Sequence, residues 1–446
     1  MHDLAWWQSA IIYEVYPRSF QNSNGDGIGD LDGIIQRLDY LVKLGVDAIW
    51  VAPIYRSPMA DFGYDIADYC AVDPIFGSMQ DFDRLLKEAH RRDLKLILDF
   101  VPNHSSDQHP WFLESRSSRE NAKRDWYLWR DEPNNWISNF GGPGWEWDQL
   151  TNQYYCHSFL KEQPDLNWRN PAVRTAMYDA LRFWLDKGVD GFRVDVMWLI
   201  IKDDQYRDNP PNPNFSPAQS FGNRLLPVYN ANRPEVHEVV AEMRAIIDSY
   251  PGRVLIGEIY LPLKDLITYY GQDLDGANLP FNFLLLQCPW KAQGIAQVIS
   301  EYIKMLPQRA WPNWVLGNHD NTRIATRVGP SQAAIATMLL NVEVEEGDGE
   351  SMLNLYRRLI ALRRAHPMLV TGQLRSVTSL ENLLSYERAA DNERLMVFLN
   401  LGHSSVRVPT EAGIVLAGTD SRRHAERVGD FVELRGSEGL IIKVAS

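Results

Sequence analysis

The sequence predicts an α/β fold: a TIM-type (β/α)8 barrel of parallel strands, interrupted by an inserted loop-rich subdomain and followed by an antiparallel β domain. Three observations support this prediction. Short apolar runs alternate with amphipathic helical patterns up to residue 340. The connection at residues 102–168 is far longer than the about 2 to 6 residues that usually join such units. After residue 370 the pattern changes to short alternating strands.

The strand and helix signals follow one another in the order that a parallel barrel requires. Apolar runs predict strands at 11–16, 46–52, 95–101, 189–194, 254–256, 279–286 and 314–316. Apolar residues at helical spacing predict helices at 34–42, 78–89, 170–187, 234–249, 294–306, 331–340 and 351–365. In the C-terminal part, alternation predicts strands at 383–386, 395–399, 406–408 and 440–444.

Local signals mark several helix ends and narrow the choice of fold. Ser78 followed by Asp81 is a capping-box pattern, and Asn170-Pro171 begins a helix that Gly188 ends. No strand is followed by a G-x-G-x-x-G turn, so a dinucleotide-binding sheet has no support. A closed barrel is therefore predicted, with its chemistry at the C-terminal ends of the strands.

We expect four segments: barrel parts at 1–101 and 169–369, the inserted subdomain at 102–168 and the β domain at 370–446. The insertion is rich in aromatic residues that lie among Asn, Gly and Pro. Two explanations stay open: the rings stack on a ligand, or they hold a loop-rich subdomain together. They are Trp126, Tyr127, Trp129, Trp136, Trp145 and Trp147.

The eighth strand of the barrel is missing from the sequence after Leu340. The helix at 331–340 is followed directly by the acidic stretch 341–350 and the next helix, with no apolar strand between them. Closing a barrel requires that strand, so we expect a segment of the chain to be absent here. Either the protein lacks the segment, which leaves unpaired strands at the edges of the sheet and makes activity doubtful, or the protein has the segment and the recorded sequence omits it near residues 340 and 341.

Composition excludes several classes of protein. The chain has 446 residues and a formal net charge of −13, which argues against binding to nucleic acid or to anionic membrane surfaces. No apolar run is long enough to span a membrane, and the N-terminus lacks the features of a signal peptide. The three cysteines are widely separated and fit neither a disulfide framework nor a zinc site. We expect a cytoplasmic protein, as a monomer or homodimer.

Polar residues recur where the predicted strands end, and a closed barrel would bring them to one rim. Any single carboxylate there is weak evidence, because such residues often cap the next helix. Together they form a cluster suited to glycoside cleavage, in which one carboxylate attacks the sugar and another protonates the leaving oxygen. They are Tyr64, Asp65, Asp99, Asn103, His104, Arg193, Asp195, Glu258, His319 and Asp320.

Arg193 lies two residues before Asp195 and projects on the same side of the strand. We expect the guanidinium to keep Asp195 ionised, as a nucleophile requires. Glu258 follows an apolar run and is the candidate general acid.

Four ordered motifs, together with Gly63-Tyr-Asp65 and Gln163-Pro-Asp-Leu-Asn167, make the sequence resemble a known family over almost its whole length. It resembles the α-amylase superfamily of glycoside hydrolases, and within it the α-glucosidase and oligo-1,6-glucosidase branch. The motifs are Asp99-Phe-Val-Pro-Asn-His104, Gly191-Phe-Arg-Val-Asp195-Val196, Gly257-Glu258 and Gly317-Asn-His-Asp320.

The resemblance implies a role for each of these residues and a retaining mechanism with a covalent intermediate. Asp195 is implied to be the nucleophile, Glu258 the acid/base and Asp320 the carboxylate that grips the sugar hydroxyls. The remaining residues are implied to hold glucose or to form its apolar wall: Asp65, His104, Arg193 and His319 hold it, and Tyr64, Phe140 and Phe159 form the wall. Pocket closure by the insertion and by the loop 207–234 favours short oligosaccharide or disaccharide substrates cut from the non-reducing end.

The glycine-rich stretch from residue 22 to residue 30 has oxygen ligands at alternate positions, as in the first half of a calcium loop. The alternative is a glycine-rich turn that binds no metal. The resemblance implies one structural Ca²⁺ or Mg²⁺ here, although the first position is usually Asp in the family. The candidate ligands are Asn22, Asn24, Asp26, Ile28 and Asp30.

Linkage and reaction type are less strongly determined. In the branch that the sequence resembles, valine after the nucleophile accompanies α-1,6 cleavage, so Val196 favours that linkage, although it equally suits barrel packing. Two alternatives to a hydrolase remain: a transglucosylase that uses the same site, and a catalytically impaired or non-catalytic binding protein. Non-catalytic relatives lack the three carboxylates, which this chain retains.

Overall fold

The fold is described from a computed structural model, which describes residues 4–216, 221–340, 352–390 and 393–444. The chain divides into two compact units. The first unit comprises Met1–Tyr13, Asp39–Asp47 and Phe281–Ser446, and the second comprises Glu14–Leu38 and Ala48–Pro280. The predicted boundaries of the four segments stay predictions.

The strands are short in the second unit and longer in the first. In chain order they are β1 (Ile12–Val15), β2 (Ala48–Val51), β3 (Tyr55–Arg56), β4 (Asp68–Val72), β5 (Lys95–Phe100), β6 (Trp129–Arg130), β7 (Trp145–Asp148), β8 (Gln153–Cys156), β9 (Gly191–Val194), β10 (Val254–Gly257), β11 (Leu279–Pro280), β12 (Gln373–Leu380), β13 (Leu383–Ala390), β14 (Glu393–Asn400), β15 (Val406–Pro409), β16 (Gly413–Gly418), β17 (Arg427–Val428), β18 (Phe431–Leu434) and β19 (Gly439–Val444).

The α-helices include long amphipathic helices and single turns. In chain order they are α1 (Trp6–Ser9), α2 (Pro17–Phe20), α3 (Leu31–Leu44), α4 (Met79–His90), α5 (Pro110–Ser115), α6 (Pro171–Lys187), α7 (Val236–Asp248), α8 (Leu263–Leu266), α9 (Leu284–Gln287), α10 (Ala292–Met305), α11 (Ile324–Val328), α12 (Pro330–Leu340), α13 (Met352–Ala365) and α14 (Met368–Thr371).

A parallel sheet forms the centre of the second unit, in the order β1-β2-β5-β9-β10-β11. The strands β2, β5, β9 and β10 are buried almost along their whole length, as expected for a sheet that helices cover on its outer face. Gly191 is required where β9 meets β10, because a Cβ atom there would lie 2.2 Å from the Val254 carbonyl oxygen. The prediction of a parallel α/β fold is confirmed.

The predicted α4 and α6 caps also form. The Ser78 side chain accepts a hydrogen bond from the Asp81 backbone N–H, and Asp81 reciprocates. The Asn170 side chain caps α6, and Gly188 ends that helix in the left-handed conformation.

The inserted residues form their own small sheet, in the order β6-β8-β7, over a buried cluster of aromatic and apolar side chains. Trp136 and Trp145 lie in that cluster and are at most 4% exposed. Trp147 is 41% exposed, yet its ring packs on Tyr154 at a centroid distance of 4.9 Å. Of the two explanations for these aromatic residues, this packing favours the one in which they hold the subdomain together.

The first unit is built on an antiparallel sheet in the order β12-β13-β14-β19-β16-β17, which confirms the predicted C-terminal β domain. The helices α10, α12 and α13 cover it and share one apolar core with it. β15 and β18 pair separately.

Two strand predictions are wrong. The apolar run at 279–286 forms only the short β11 before α9 begins, and 314–316 is not a strand. Trp314 and Leu316 pack instead on the core of the first unit, where the Trp314 ring lies 4.9 Å from the ring of Tyr302. A short apolar run does not by itself distinguish a strand from another buried segment.

The predicted absence of the eighth strand concerns residues 341–351, which lie outside the described residues. In the part of the chain that the structure describes, the parallel sheet ends at β1 and β11. No helix among the described residues combines the length and apolar character needed to cross a membrane.

Candidate active site

Residues of three neighbouring strands bring their polar side chains to one face of the sheet. In register, Asp99 of β5 lies beside Arg193 of β9, which lies beside Ile256 of β10. Side chains alternate along a strand, so positions two residues further on share a face. Asp195 and Glu258 are those positions, and this places the two predicted catalytic acids and the arginine together.

Arg193 binds three carboxylates. Its Nη1 atom lies 3.0 Å from Asp99 Oδ1 and 2.7 Å from Asp195 Oδ1, and its Nη2 atom lies 2.8 Å from Glu258 Oε1. The other Glu258 oxygen accepts a hydrogen bond of 3.0 Å from the Val196 backbone N–H. Val196 adopts φ 35°, a strained left-handed state for a β-branched residue. The two acids, 63 residues apart in sequence, therefore meet on one buried guanidinium.

The charge balance of this cluster differs from our expectation. Burial raises the pKa of Asp195 well above its usual range; Arg193 opposes this, and the charges of Glu258 and Asp99 add to it. The prediction that Arg193 keeps Asp195 ionised is therefore wrong in net direction, because burial outweighs the attraction of a cation that also serves Asp99 and Glu258.

An aromatic and imidazole wall forms from residues that the resemblance implied. The rings of His104 and Phe159 lie 5.2 Å apart, and those of Phe159 and Phe140 lie 5.3 Å apart. Phe140 is 59% exposed, whereas His104 is buried. An exposed ring beside buried polar groups suits the apolar face of a sugar. Phe140 and Phe159 also line a cavity of about 320 Å³ on the inserted subdomain.

Tyr64 and Asp65 are both buried at the predicted place. The Tyr64 hydroxyl donates to Asp99 Oδ2 at 3.0 Å, which ties the aromatic wall to the arginine cluster. Asp65 accepts hydrogen bonds from the Ser57 hydroxyl and from the backbone N–H groups of Ala60 and Asp61, each at 2.9 Å. Asp65 is therefore fixed in one orientation before any substrate binds.

His319 and Asp320 lie in the first unit. His319 Nε2 lies 3.3 Å from Asp320 Oδ1, and Asn318 Nδ2 donates to Asp320 Oδ2 at 2.8 Å. Their approach to Asp195 and Glu258 stays a prediction.

Two residues that hold this cluster, Trp50 and Lys202, were not predicted from the sequence. Asp99 accepts from the indole N–H of Trp50 at 3.1 Å as well as from Tyr64 and Arg193. Lys202 and Asp165 form a buried ion pair of 2.9 Å next to Asn103. A lysine after the apolar run 199–201 was the available signal, because a buried lysine needs a charged partner.

The loop at residues 22–30 is organised around its own side chains. Asn22 Oδ1 accepts from the backbone N–H of Gly25 at 2.7 Å, Asn24 Oδ1 from that of Asp26 at 2.9 Å, and Asp26 Oδ1 from that of Ile28 at 2.7 Å. The donor set of amide, carboxylate and backbone oxygens fits a hard, oxygen-coordinated cation. Among the described residues, no group of three or more His, Cys, Asp or Glu could hold a metal.

Comparison with known proteins decides the family. The family sequence model described as the alpha amylase catalytic domain matches residues 14–341 of this chain. The chain belongs to the alpha-amylase family. It is therefore a glycoside hydrolase, as its carboxylate cluster indicates.

Individual relatives of this alpha-amylase family member have related names. A probable alpha-glucosidase of Rhizobium meliloti is 36% identical over 495 aligned positions, which cover 90% of each chain. An oligo-1,6-glucosidase of Parageobacillus thermoglucosidasius is 43% identical over 73% of this chain and 60% of its own length. The crystal structure of an alpha-glucosyl transfer enzyme, XgtA, has a TM-score of 0.91 at 34% identity and covers 99% of this chain and 100% of that one.

The alignment with the Rhizobium protein is longer than this chain, which has 446 residues. That relative therefore carries residues without a counterpart here. The family match also ends at residue 341, beside the predicted gap.

Proposed function

We propose that this glycoside hydrolase is a retaining α-glucosidase that removes glucose from the non-reducing end of short α-glucosides, with a preference for α-1,6 linkages. The observation that supports it best is the contact of Asp195 and Glu258 with the two Nη atoms of Arg193. Double displacement needs two carboxyl groups that flank one anomeric carbon from opposite sides at a separation of about 5 to 5.5 Å, and two acids bound to one guanidinium lie close enough together for this.

In the first proposed step, an Asp195 oxygen attacks the anomeric carbon while Glu258 gives its proton to the glycosidic oxygen. The carbon–oxygen bond to the leaving group breaks and a glucosyl ester forms on Asp195. In the second step, Glu258 takes a proton from water, the water oxygen attacks the same carbon, and the ester bond breaks. Two inversions give net retention. Asp320 and His319 are proposed to hold the sugar hydroxyls.

The linkage preference is supported by Val196 and by the similarity to an oligo-1,6-glucosidase. Val196 is 9% exposed and packs with Leu199 and Phe159, so its side chain faces the wall next to the acids. Transglucosylation is the second candidate, supported by the similarity to an alpha-glucosyl transfer enzyme. The two reactions share the glucosyl ester and differ in whether water or a sugar attacks it.

Product analysis on isomaltose, maltose, trehalose and sucrose tests the function. We expect free glucose, formed faster from isomaltose than from maltose, and released first as the α-anomer in proton NMR. Release of the β-anomer would contradict the retaining mechanism. New oligosaccharides in place of free glucose would favour the transglucosylase, and no turnover of any substrate would favour an impaired or binding protein.

We also propose that the loop at 22–30 binds one Ca²⁺ or Mg²⁺ through Asn22, Asn24, Asp26, Asp30 and the Ile28 carbonyl, where the ion would stabilise the loop without taking part in catalysis. The three free cysteines suit a cytoplasmic location.

Chelation is expected to lower the thermal denaturation midpoint, and added Ca²⁺ to restore it, because an ion that binds only the folded state stabilises it. Asn22→Asp adds a ligand charge and should lower the Ca²⁺ concentration that gives half of this effect. Asn121→Asp, in an exposed loop outside the proposed site, is the matched control. Equal midpoints with chelator and with Ca²⁺ would contradict the proposed ion.

A further inference from the structure

Lys202 is a buried lysine that the proposed mechanism does not use. Its side chain is 1% exposed, and its Nζ atom lies 2.9 Å from Asp165 Oδ2 and 2.6 Å from the Leu199 carbonyl oxygen. It also donates to Asn103 Oδ1. These three acceptors match the three N–H bonds of an ammonium group, so Lys202 is held in one orientation.

This contact fixes the Asn103 side-chain amide. Because an ammonium group can only donate, the Asn103 atom that faces Lys202 must be the oxygen. Its nitrogen, Nδ2, then lies 3.0 Å from Asp165 Oδ1 and 3.1 Å from His104 Nδ1. With one hydrogen for each neighbour, Asn103 requires His104 Nδ1 to be an acceptor.

The His104 ring is neutral at physiological pH, because burial lowers its pKa to about 4; Asp165 opposes this shift and Lys202 adds to it. A neutral imidazole with an accepting Nδ1 carries its hydrogen on Nε2. That Nε2 atom lies 3.2 Å from the Tyr64 carbonyl oxygen, which can only accept. Two independent neighbours therefore agree on the Nε2–H tautomer.

Gln163 favours the opposite tautomer. Its Nε2 atom donates one hydrogen to Asp61 Oδ2 at 2.8 Å and lies 3.1 Å from His104 Nε2. The second hydrogen of this amide would point at His104 Nε2 and would require that atom to be an acceptor. The Gln163 amide cannot turn, because its oxygen accepts from the Leu160 backbone N–H at 3.0 Å. The tautomer of His104 is thus a competition between the Gln163 amide and the Asn103 amide.

We propose that Lys202 is a positioning residue that decides this competition: by holding the Asn103 oxygen, it keeps the His104 hydrogen on Nε2, where a sugar hydroxyl can accept it in place of the Tyr64 carbonyl oxygen. Without Lys202, the buried Asp165 has no cation and takes up a proton, so that it no longer requires a donor from Asn103. Asn103 can then rotate and offer its oxygen to Nδ1–H, and Gln163 can donate to Nε2. The sugar contact rests on the proposed function, whereas the tautomer does not.

The experiment is two-bond ¹H–¹⁵N NMR at pH 7 on the full chain labelled with ¹⁵N-histidine, with the His104 signals identified by their loss in His104→Gln. We expect the Nε2–H pattern in the unsubstituted protein and in Lys202→Arg, which still presents only donors to Asn103. In Lys202→Met we expect Nδ1–H. Lys187→Met, which removes a surface lysine paired with Asp83, is the control and should leave the His104 signals unchanged.

Lys202→Met leaves Asp165 buried without its cation, so the double variant Lys202→Met/Asp165→Asn provides an uncharged second test in which an Nδ1–H signal is again expected. In the folded variants kcat/KM should fall about tenfold, the loss of one hydrogen bond to the substrate, and recover in Lys202→Arg. The proposal would be overturned if folded Lys202→Met, or the folded double variant, showed only the Nε2–H pattern. An Nδ1–H pattern in the unsubstituted protein would overturn it as well. A switched tautomer with unchanged kcat/KM would overturn the positioning role. Absence of glucoside cleavage by the unsubstituted protein would count against the proposed function alone.

Discussion

Asp195→Asn is expected to lower kcat on isomaltose by about 10⁴-fold or more, because an amide cannot form the glucosyl ester. The variant should be at least as stable as the unsubstituted protein. It removes a buried carboxyl group from a cluster in which three acids share Arg193, and burial already raises the pKa of Asp195. Initial rates and thermal denaturation midpoints measured on the same preparations check both expectations.

The matched control is Asp179→Asn, an identical exchange at a carboxylate that is 66% exposed and paired with Arg182 on the surface. This control should leave kcat and the thermal denaturation midpoint unchanged. If Asp195→Asn kept more than about a hundredth of the activity, the proposed nucleophile would be wrong.

Arg193→Met is expected to destabilise the protein by about 3 to 5 kcal/mol, because it leaves buried carboxylates without their shared cation. The loss should shrink as the pH falls. A carboxyl group whose pKa is raised in the folded state, as burial raises that of Asp195, binds more protons folded than unfolded, so lower pH favours folding. Urea denaturation between pH 5 and pH 8 measures the free energy of unfolding and its pH dependence.

Arg182→Met serves as the control, since Arg182 is 47% exposed and its pair with Asp179 should contribute no more than about 1 kcal/mol. Equal stability of the two arginine variants would show that the buried cluster does not depend on its cation. A loss that grew at low pH would contradict the assignment of the destabilisation to unpaired carboxylates.

Much of the fold follows from local patterns in the sequence. The caps of α4 and α6 lie where Ser78 and Asn170 predict them, because a cap needs only residues within one turn. The seventh predicted strand failed for the opposite reason. Trp314 and Leu316 are apolar in either setting, and the choice between a sheet and the core of the first unit depends on distant partners.

The candidate site likewise has features that the sequence predicts and features that it does not. Asp195 and Glu258 were predictable because each follows a buried strand of a parallel sheet, and such strand ends meet at one edge. The sharing of Arg193 among three acids was not predictable, since charge balance depends on how many carboxylates surround one cation.

The sequence alone determined the alternation of strands and helices up to β10, the caps of α4 and α6 and the residue types at the strand ends, because each depends on periodicity or on neighbours within a few residues. The tertiary structure decided the protonation balance of Asp195 and the contacts of Lys202 with Asn103 and Asp165. Those are set by burial and by distances of about 3 Å between residues that lie far apart in the chain, and no local pattern encodes them.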